Sequence, residues 1–416
     1  MRHFSFLSDE NASRLFHIAP QELSLGSAPA VLAVALGATL YTPADRPNLA
    51  QDIRKQAARG CLSMVICLED SIADDAVDSA ETNVVNTLTR LHAGSAGPRR
   101  GSGIGSDDDR SGDSGSDAVG AFHSDEGPLL FLRVRTPEQM LSLASRCGKA
   151  LDLLVGFVIP KFENETGQAQ RFLDALHTIN DSRGGGRRLR IMPIMESPLV
   201  IHGETRARTL SGICDVLQAN KEDVLAVRVG ATDMSSAFGL RRSRDLTIYD
   251  VKVVASVIGD IVNMLGRPDN GFVISGPVWE HYSNSERVLR PLLRRTPFAD
   301  ANEMPLRDRI LTANLDGLIR EIELDLANGL LGKTVIHPTH VPLVHAMCVV
   351  SHEEYVDALE IAGKNGGGAS ASPYGNKMNE MKPHQAWAGQ TLLRAAAFGV
   401  AAENITYVDL LEASMN

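Results

Sequence analysis

Short runs of apolar and β-branched residues alternate along the chain with amphipathic stretches whose apolar positions recur at helical spacing. The runs at 38–41, 64–68, 129–134, 155–159, 190–194, 224–229, 272–275 and 334–336 predict eight strands. Helices are predicted between them, for example over 49–59, 73–91, 137–146, 168–179, 247–265 and 313–328. In the last of these, Leu315, Leu318, Ile319, Ile322, Leu326 and Leu330 mark one apolar stripe, with Arg320, Glu321 and Glu323 expected largely elsewhere around the helix. Repeated βα units with eight strands predict the α/β class and a (β/α)₈ TIM barrel with a C-terminal helical extension; a doubly wound open sheet is the competing arrangement.

Two tracts break the pattern. Residues 93–127 are dense in Gly, Ser and Asp, and residues 363–375 in Gly, Ala and Ser, so both are expected to be mobile. The expected organisation is an N-terminal extension (1–36), a barrel (37–350) with an insertion at about 93–127, and a C-terminal helical segment (351–416). With 44% hydrophobic and 22% charged residues, the chain can bury a sizeable core.

A net charge of -10, from 41 basic and 51 acidic side chains, argues against a nucleic-acid surface. The short basic clusters at Arg187, Arg188 and Arg190 and at Arg241, Arg242 and Arg244 sit beside turns and read as solvated edges. The five cysteines are odd in number, widely spaced and without a C-x-x-C pair, which predicts buried, reduced thiols. The longest apolar stretch, 28–36, is too short to cross a bilayer and no secretory leader is apparent, so a cytoplasmic protein is expected.

In a (β/α)₈ barrel, chemistry is carried by residues at the carboxyl ends of the strands. There the sequence places Glu69 and Asp70 after the second strand, Arg133 and Arg135 at the third, Lys161 and Glu163 after the fourth, Glu196 after the fifth, Asp233 after the sixth and His337 after the eighth. Acids converging on one mouth repel unless a cation lies among them. Oxygen donors without a His or Cys cluster favour Mg²⁺ over Zn²⁺, with Glu196 and Asp233 as the expected ligands. Arg133 is placed to grip a substrate carboxylate.

Several segments, in order, resemble the HpcH/HpaI aldolase and citrate lyase β-subunit superfamily. They are Tyr41-Thr-Pro-Ala-Asp-Arg-Pro47, Cys67-Leu-Glu-Asp-Ser71, Leu132-Arg-Val134, Ile159-Pro-Lys-Phe-Glu163, Met195-Glu196, Gly230-Ala-Thr-Asp233 and Ile336-His-Pro338, within a span of about 40–352. The resemblance implies a carbon–carbon lyase in which Glu196 and Asp233 hold Mg²⁺ and Arg133 clamps a carboxylate. Arg46 and His337 would line the same mouth, Glu69 and Asp70 would hold water, and Lys161 would add charge or tie down Glu69. It further implies a 2-oxo acid substrate or its coenzyme A thioester adduct, and a homotrimer or hexamer.

Acyl-CoA members of that family take a proton-transfer aspartate from a C-terminal D-x-P segment, often a neighbouring subunit's. Here the stretch reads Met378-Asn-Glu-Met-Lys-Pro383-His384, so the aspartate is absent, and Glu380 or His384 is the candidate to replace it. A binding or biosynthetic accessory protein and a thioester hydrolase are the competing functions on this scaffold. Three other signals carry less: Gly332-Lys-Thr334 enters a strand and is not a phosphate loop, Pro338 and Pro342 break the helical face that a zinc site at His337, His340 and His345 would need, and Trp279 and Trp387 read as packing residues.

Overall fold

The computed structural model describes residues 1–93, 127–282, 315–364 and 366–415; the expected insertion therefore lies almost wholly outside the described residues. Eight parallel strands form the barrel: β1 (Ala38–Pro43), β2 (Ser63–Cys67), β3 (Leu129–Arg133), β4 (Leu154–Ile159), β5 (Arg190–Met195), β6 (Val227–Val229), β7 (Ile274–Ser275) and β8 (Lys333–Val335). Each strand from β1 to β6 pairs with the next, and β1 also pairs with β8. A parallel bridge between Gly276 and Lys333 closes the ring, with the Gly276 amide donating to Gly332 O at 3.1 Å and the Thr334 amide to Gly276 O at 3.0 Å. The eight-stranded TIM barrel expected from the sequence is thus the observed fold.

The strand–helix alternation comes from local signals the sequence carries. Helix α1 (Leu49–Ala58) follows β1, and α2 (Val77–Ala93) follows β2. Helix α3 (Pro137–Cys147) starts where Thr136 accepts the Gln139 amide through its hydroxyl, with Pro137 in the first turn. Next come α4 (Gln168–Ser182), α5 (Gly203–Ala219) and α6 (Lys252–Leu265), which buries Val254, Val257, Ile258, Ile261 and Leu265 at helical spacing against the sheet. Helix α7 (Asp316–Ala327) precedes β8.

Strand parity sorts the barrel residues into two cores. Leu40, Met64, Leu130, Leu132, Val227 and Val229 belong to the large cluster shared with the surrounding helices. Val65, Phe131, Val158, Met192 and Ile194 fill the lumen, with Tyr41 packed against them. Leu25, Leu32, Ala33 and Leu36 join that inner cluster, so the apolar stretch at 28–36 forms a short helix, Pro29–Ala35, at the amino-terminal end of the strands. No helix among the described residues is long and apolar enough to cross a membrane.

Beyond the barrel lie α8 (Val341–Cys348), α9 (His352–Gly363), α10 (Met381–Phe398) and α11 (Tyr407–Met415). The tract expected to be a mobile linker instead contributes to an antiparallel hairpin, Ala369–Ala371 with Met378–Glu380. Asp357 of α9 secures it, accepting from Ser372 Oγ at 2.7 Å and Asn379 Nδ2 at 2.9 Å and pairing with Lys377 Nζ at 2.8 Å. Phe16–Ile18 pairs with Val400–Ala401, so both ends of the chain close on one another.

Two expectations about charge are corrected. Arg242, read as part of a solvated edge, is 5% exposed, and Glu321, read off the apolar stripe, is fully buried. They bond to each other, while Lys333 Nζ meets Glu321 at 2.9 Å and Asp325 at 2.6 Å, and Tyr249 donates to Asp325 at 2.8 Å. Mutual pairing makes the burial of these charges tolerable, and a polarity pattern along one helix does not reveal it. The five cysteines are free thiols; four are buried as expected, and Cys214 is partly exposed.

Candidate active site

The carboxyl ends of β2 to β6 bring six of the sequence-selected side chains into one cluster. Arg133, the last residue of β3, is 8% exposed, and its Nη2 meets Glu69 at 2.7 Å, Asp70 at 3.1 Å and Glu196 at 3.1 Å. Lys161 Nζ bonds Glu69 at 2.8 Å and lies 3.8 Å from Asp70. Its backbone amide donates to Glu196 Oε1 at 3.1 Å. That amide is aimed by a left-handed backbone, φ 48°, rare for a residue with a side chain and costing about 1 kcal/mol or more, so the turn after β4 holds strain at the mouth.

Glu196 and Asp233 face one another closely enough to interact through their carboxyl groups. Gly230 makes the room. A Cβ at that position would fall 2.0 Å from Glu196 Oε2 and 2.6 Å from its Cβ, so the glycine of the Gly230-Ala-Thr-Asp233 segment is needed to seat Glu196 beside the aspartate.

The electrostatics divide the acids in two. Burial works against the charge on Glu69, but hydrogen bonding to Asp70 and the charges of Arg133 and Lys161 prevail and hold its carboxyl down at about 2. Burial and the adjoining Glu69 raise Asp70. Glu196 is pushed up to about 8, by burial first and then by the charge and hydrogen bond of Asp233, against the pull of Arg133. Arg133, despite burial, is held above its ordinary value by Glu196 and the other anionic groups around it.

A carboxyl pair of this kind, with Glu196 buried and Asp233 partly exposed, fits a cation. Among the described residues no group of three or more His, Cys, Asp or Glu side chains is arranged to hold a metal; what Glu196 and Asp233 offer is a pair of carboxyl groups. That is what Mg²⁺ uses, taking one or two carboxylates and completing its shell with water and substrate oxygens, whereas Zn²⁺ prefers a closed set of N and S donors.

A cleft of about 460 Å³ adjoins the cluster, lined by Glu69, Asp70, Asp74, Arg135, Lys161 and Gln168 among others. Arg135 is committed to structure: it donates to the carbonyls of Leu68 and Ile72 at 2.7 Å and to Asp74 at 2.6 Å, fixing the loop after β2. Glu163 likewise staples the loop before α4, accepting the amides of Glu165 at 2.6 Å and Thr166 at 3.1 Å.

Three sequence-selected residues are placed differently. Arg46 is turned to Asp52 of α1, at 2.5 Å, and is half exposed. His337 follows β8 with its ring stacked on Tyr282 at 4.8 Å and its Nδ1 2.7 Å from Thr339 Oγ1. Glu380 ends the C-terminal hairpin, where its amide donates to His384 Nδ1 at 3.1 Å; neither side chain has a hydrogen bond to the acidic cluster. Sequence reasoning missed Gly230 as the seat of Glu196, and it missed Arg228, a charged residue inside an apolar strand with the same inward parity as Gly230.

The model of the family described as C–C bond lyases of the TIM-barrel fold matches residues 30–400. No curated protein matches the chain. Among solved structures, a citrate lyase from Burkholderia xenovorans is 14% identical with a TM-score of 0.54, covering 90% of this chain and 96% of that one. The protein CitE from Mycobacterium tuberculosis, solved with magnesium, acetoacetate and coenzyme A, is 17% identical with a TM-score of 0.48, over 87% of this chain and 99% of that one. A malate synthase from Haloferax volcanii is 14% identical with a TM-score of 0.47, over 73% and 72%. The Burkholderia structure agrees with the barrel described above. With the family model spanning both barrel and C-terminal lobe, the chain belongs to the C–C bond lyases of the TIM-barrel fold.

Proposed function

We propose that the protein is a Mg²⁺-dependent carbon–carbon lyase acting on a 2-oxo acid or on its acyl-CoA adduct. The observation that carries this reading is the pairing of the buried Glu196 with the partly exposed Asp233, with the Arg133 guanidinium bonded to Glu196 at 3.1 Å. When bound between those two carboxylates, Mg²⁺ would supply positive charge for the oxygen that becomes negative as the carbon–carbon bond breaks or forms.

The chain's own residues do the rest. Arg133 offers a planar pair of donors to a substrate carboxylate and can trade a bond to Asp70, the most exposed of its partners, for one to the ligand. Lys161 fixes Glu69 and leaves the Asp70 carboxylate at the rim as a water acceptor. The same proposal includes a homotrimer or hexamer in the cytoplasm, with the C-terminal segment serving a neighbouring mouth.

A second reading, a binding or accessory protein that has lost cleavage, is favoured by one observation: Glu380 and His384 are bonded to each other's segment and not to the cluster. A panel of 2-oxo acids and acyl-CoA esters, assayed with and without Mg²⁺ alongside Glu196→Gln and Asp233→Asn, decides between them. Mg²⁺-dependent turnover lost in both variants supports the lyase. Ligand binding without turnover supports the second reading, and a wild-type protein that binds no divalent ion refutes both.

A further inference from the structure

Arg228 of β6 is 1% exposed and points into the lumen. Four Arg and Lys residues are buried among the described residues, and three have carboxylate partners: Arg133 has Glu69, Asp70 and Glu196, Arg242 has Glu321, and Lys333 has Glu321 and Asp325. Arg228 has none there. Its Nη1 donates to Thr39 Oγ1 at 3.3 Å and its Nη2 to Thr334 Oγ1 at 2.5 Å, while Nε has no partner. A buried cation among neutral hydroxyls is unfavourable, and an apolar side chain of similar volume would pack there at no loss, so packing gives no reason to keep it.

The guanidinium carbon lies 5.4 Å from the centre of the Tyr41 ring. Tyr41 stands two residues above Thr39 on β1, half-buried against the lumen cluster, and its hydroxyl has no hydrogen bond among the described residues. Arg228, Arg133, Cys67 and Glu196 act on it electrostatically, so the phenol senses both the buried cation and members of the carboxyl cluster. Burial raises its pKa, so at neutral pH it carries a proton.

We propose that Tyr41 is the proton donor of the lyase reaction, with Arg228 as the positioning cation that holds the charge left on the phenolate. The inference rests on the function proposed above. As the carbon–carbon bond breaks, its electron pair stays on the carbon next to the carbonyl of the 2-oxo acid. The Tyr41 O–H bond breaks, its proton forms the new C–H bond, and its electron pair remains on the phenolate, whose ring Arg228 faces. The hydroxyl of the departing fragment loses its proton as that fragment becomes a carbonyl compound, and this proton returns to the phenolate. The phenol is regenerated and no further reactant is consumed. A donor inside the barrel replaces the C-terminal aspartate this chain lacks.

The test uses pyruvate, whose methyl hydrogens exchange with deuterium through the same proton transfer, followed by NMR in Mg²⁺. Calorimetry reports pyruvate and Mg²⁺ binding separately. Tyr41→Phe keeps the ring, so binding of both should stay within about twofold while exchange falls about 100-fold. Arg228→Met should slow exchange about tenfold without lowering the melting temperature, and Arg228→Lys should restore part of the rate.

Exchange at the wild-type rate in Tyr41→Phe overturns the proposal, as does an equal loss of pyruvate binding. A lower melting temperature with untouched exchange in Arg228→Met overturns the role of Arg228. Wild-type protein that binds Mg²⁺ and pyruvate but exchanges nothing overturns Tyr41 as donor and leaves the site reading standing. Binding of neither overturns both.

Discussion

Replacing Glu196 by Gln should stabilise the metal-free protein and abolish its response to Mg²⁺. The Glu196 carboxyl titrates at about 8 in the folded chain against an ordinary 4.5, so folding favours its protonated form. Below the ordinary value both states are protonated and the group contributes nothing to the pH dependence. As pH rises toward 8 the unfolded chain releases this proton and the folded chain retains it, and stability falls. The loss amounts to about 3 kcal/mol at pH 7 and about 5 kcal/mol once the folded carboxyl has also ionised.

Glutamine is nearly isosteric, keeps an acceptor for the Lys161 amide, and leaves Arg133 bonded to Glu69 and Asp70. The variant should therefore lack the slope. Urea unfolding in EDTA at about pH 5 and about pH 8 measures it: the variant gains on the wild type as pH rises, by a few kcal/mol. Millimolar Mg²⁺ should reverse the order, since a cation between the carboxylates favours their ionised forms and binds only the folded chain. Parallel curves for the two proteins in EDTA, or a wild type unmoved by Mg²⁺, would refute the reasoning.

Gly230→Ala forces the Glu196 side chain aside, because the new methyl would sit 2.6 Å from its Cβ; the expected result is a loss of about 1–3 kcal/mol and weaker Mg²⁺ binding by calorimetry. Lys333→Met leaves Glu321 and Asp325 short of a buried partner and should cost about 3–5 kcal/mol in chemical unfolding. His3, fully buried with its pKa lowered from 6.5 to about 4 by burial, stays neutral in the fold while the unfolded chain protonates. Stability should therefore fall by about 3 kcal/mol as pH drops from 6.5 to 4, and His3→Phe, which can still pack on Phe398, should flatten that slope in urea titrations.

The cluster was legible because a barrel directs strand-end residues of one parity to a single mouth. Arg133 pairs in register with Cys67, and Glu196 follows Met195 on β5, so locating the ends of the apolar runs was enough to bring them together. Arg46 was placed by its motif alone, and its guanidinium pairs with Asp52. The hairpin at 369–380 escaped notice because a Gly-rich composition looks mobile until Asp357, on a helix of its own, supplies the bonds that order it. The helix Pro29–Ala35 is apolar almost throughout, so its sequence has no polar face from which an orientation could be read; only the lumen it closes gives it one.

Charge at the mouth sets an order of events. Glu69, Asp70, Glu196 and Asp233 face the cations Arg133 and Lys161, with Arg228 beneath, so with every group ionised the acids exceed the bases by one. In the metal-free protein at neutral pH Glu196 keeps its proton, so the mouth offers a carboxylate ligand no net attraction, and Arg133 is already engaged by three acids. A divalent cation held by Glu196 and Asp233 would favour the ionised Glu196 and leave the mouth with an excess of one positive charge, which would favour the ligand. Metal should therefore precede substrate: a 2-oxo acid should bind at least about tenfold more weakly in EDTA than in Mg²⁺, and by linkage the acid should tighten Mg²⁺ by the same factor. Calorimetric titrations in both orders test this, and equal affinity for the acid with and without metal would show that Arg133 alone holds the carboxylate.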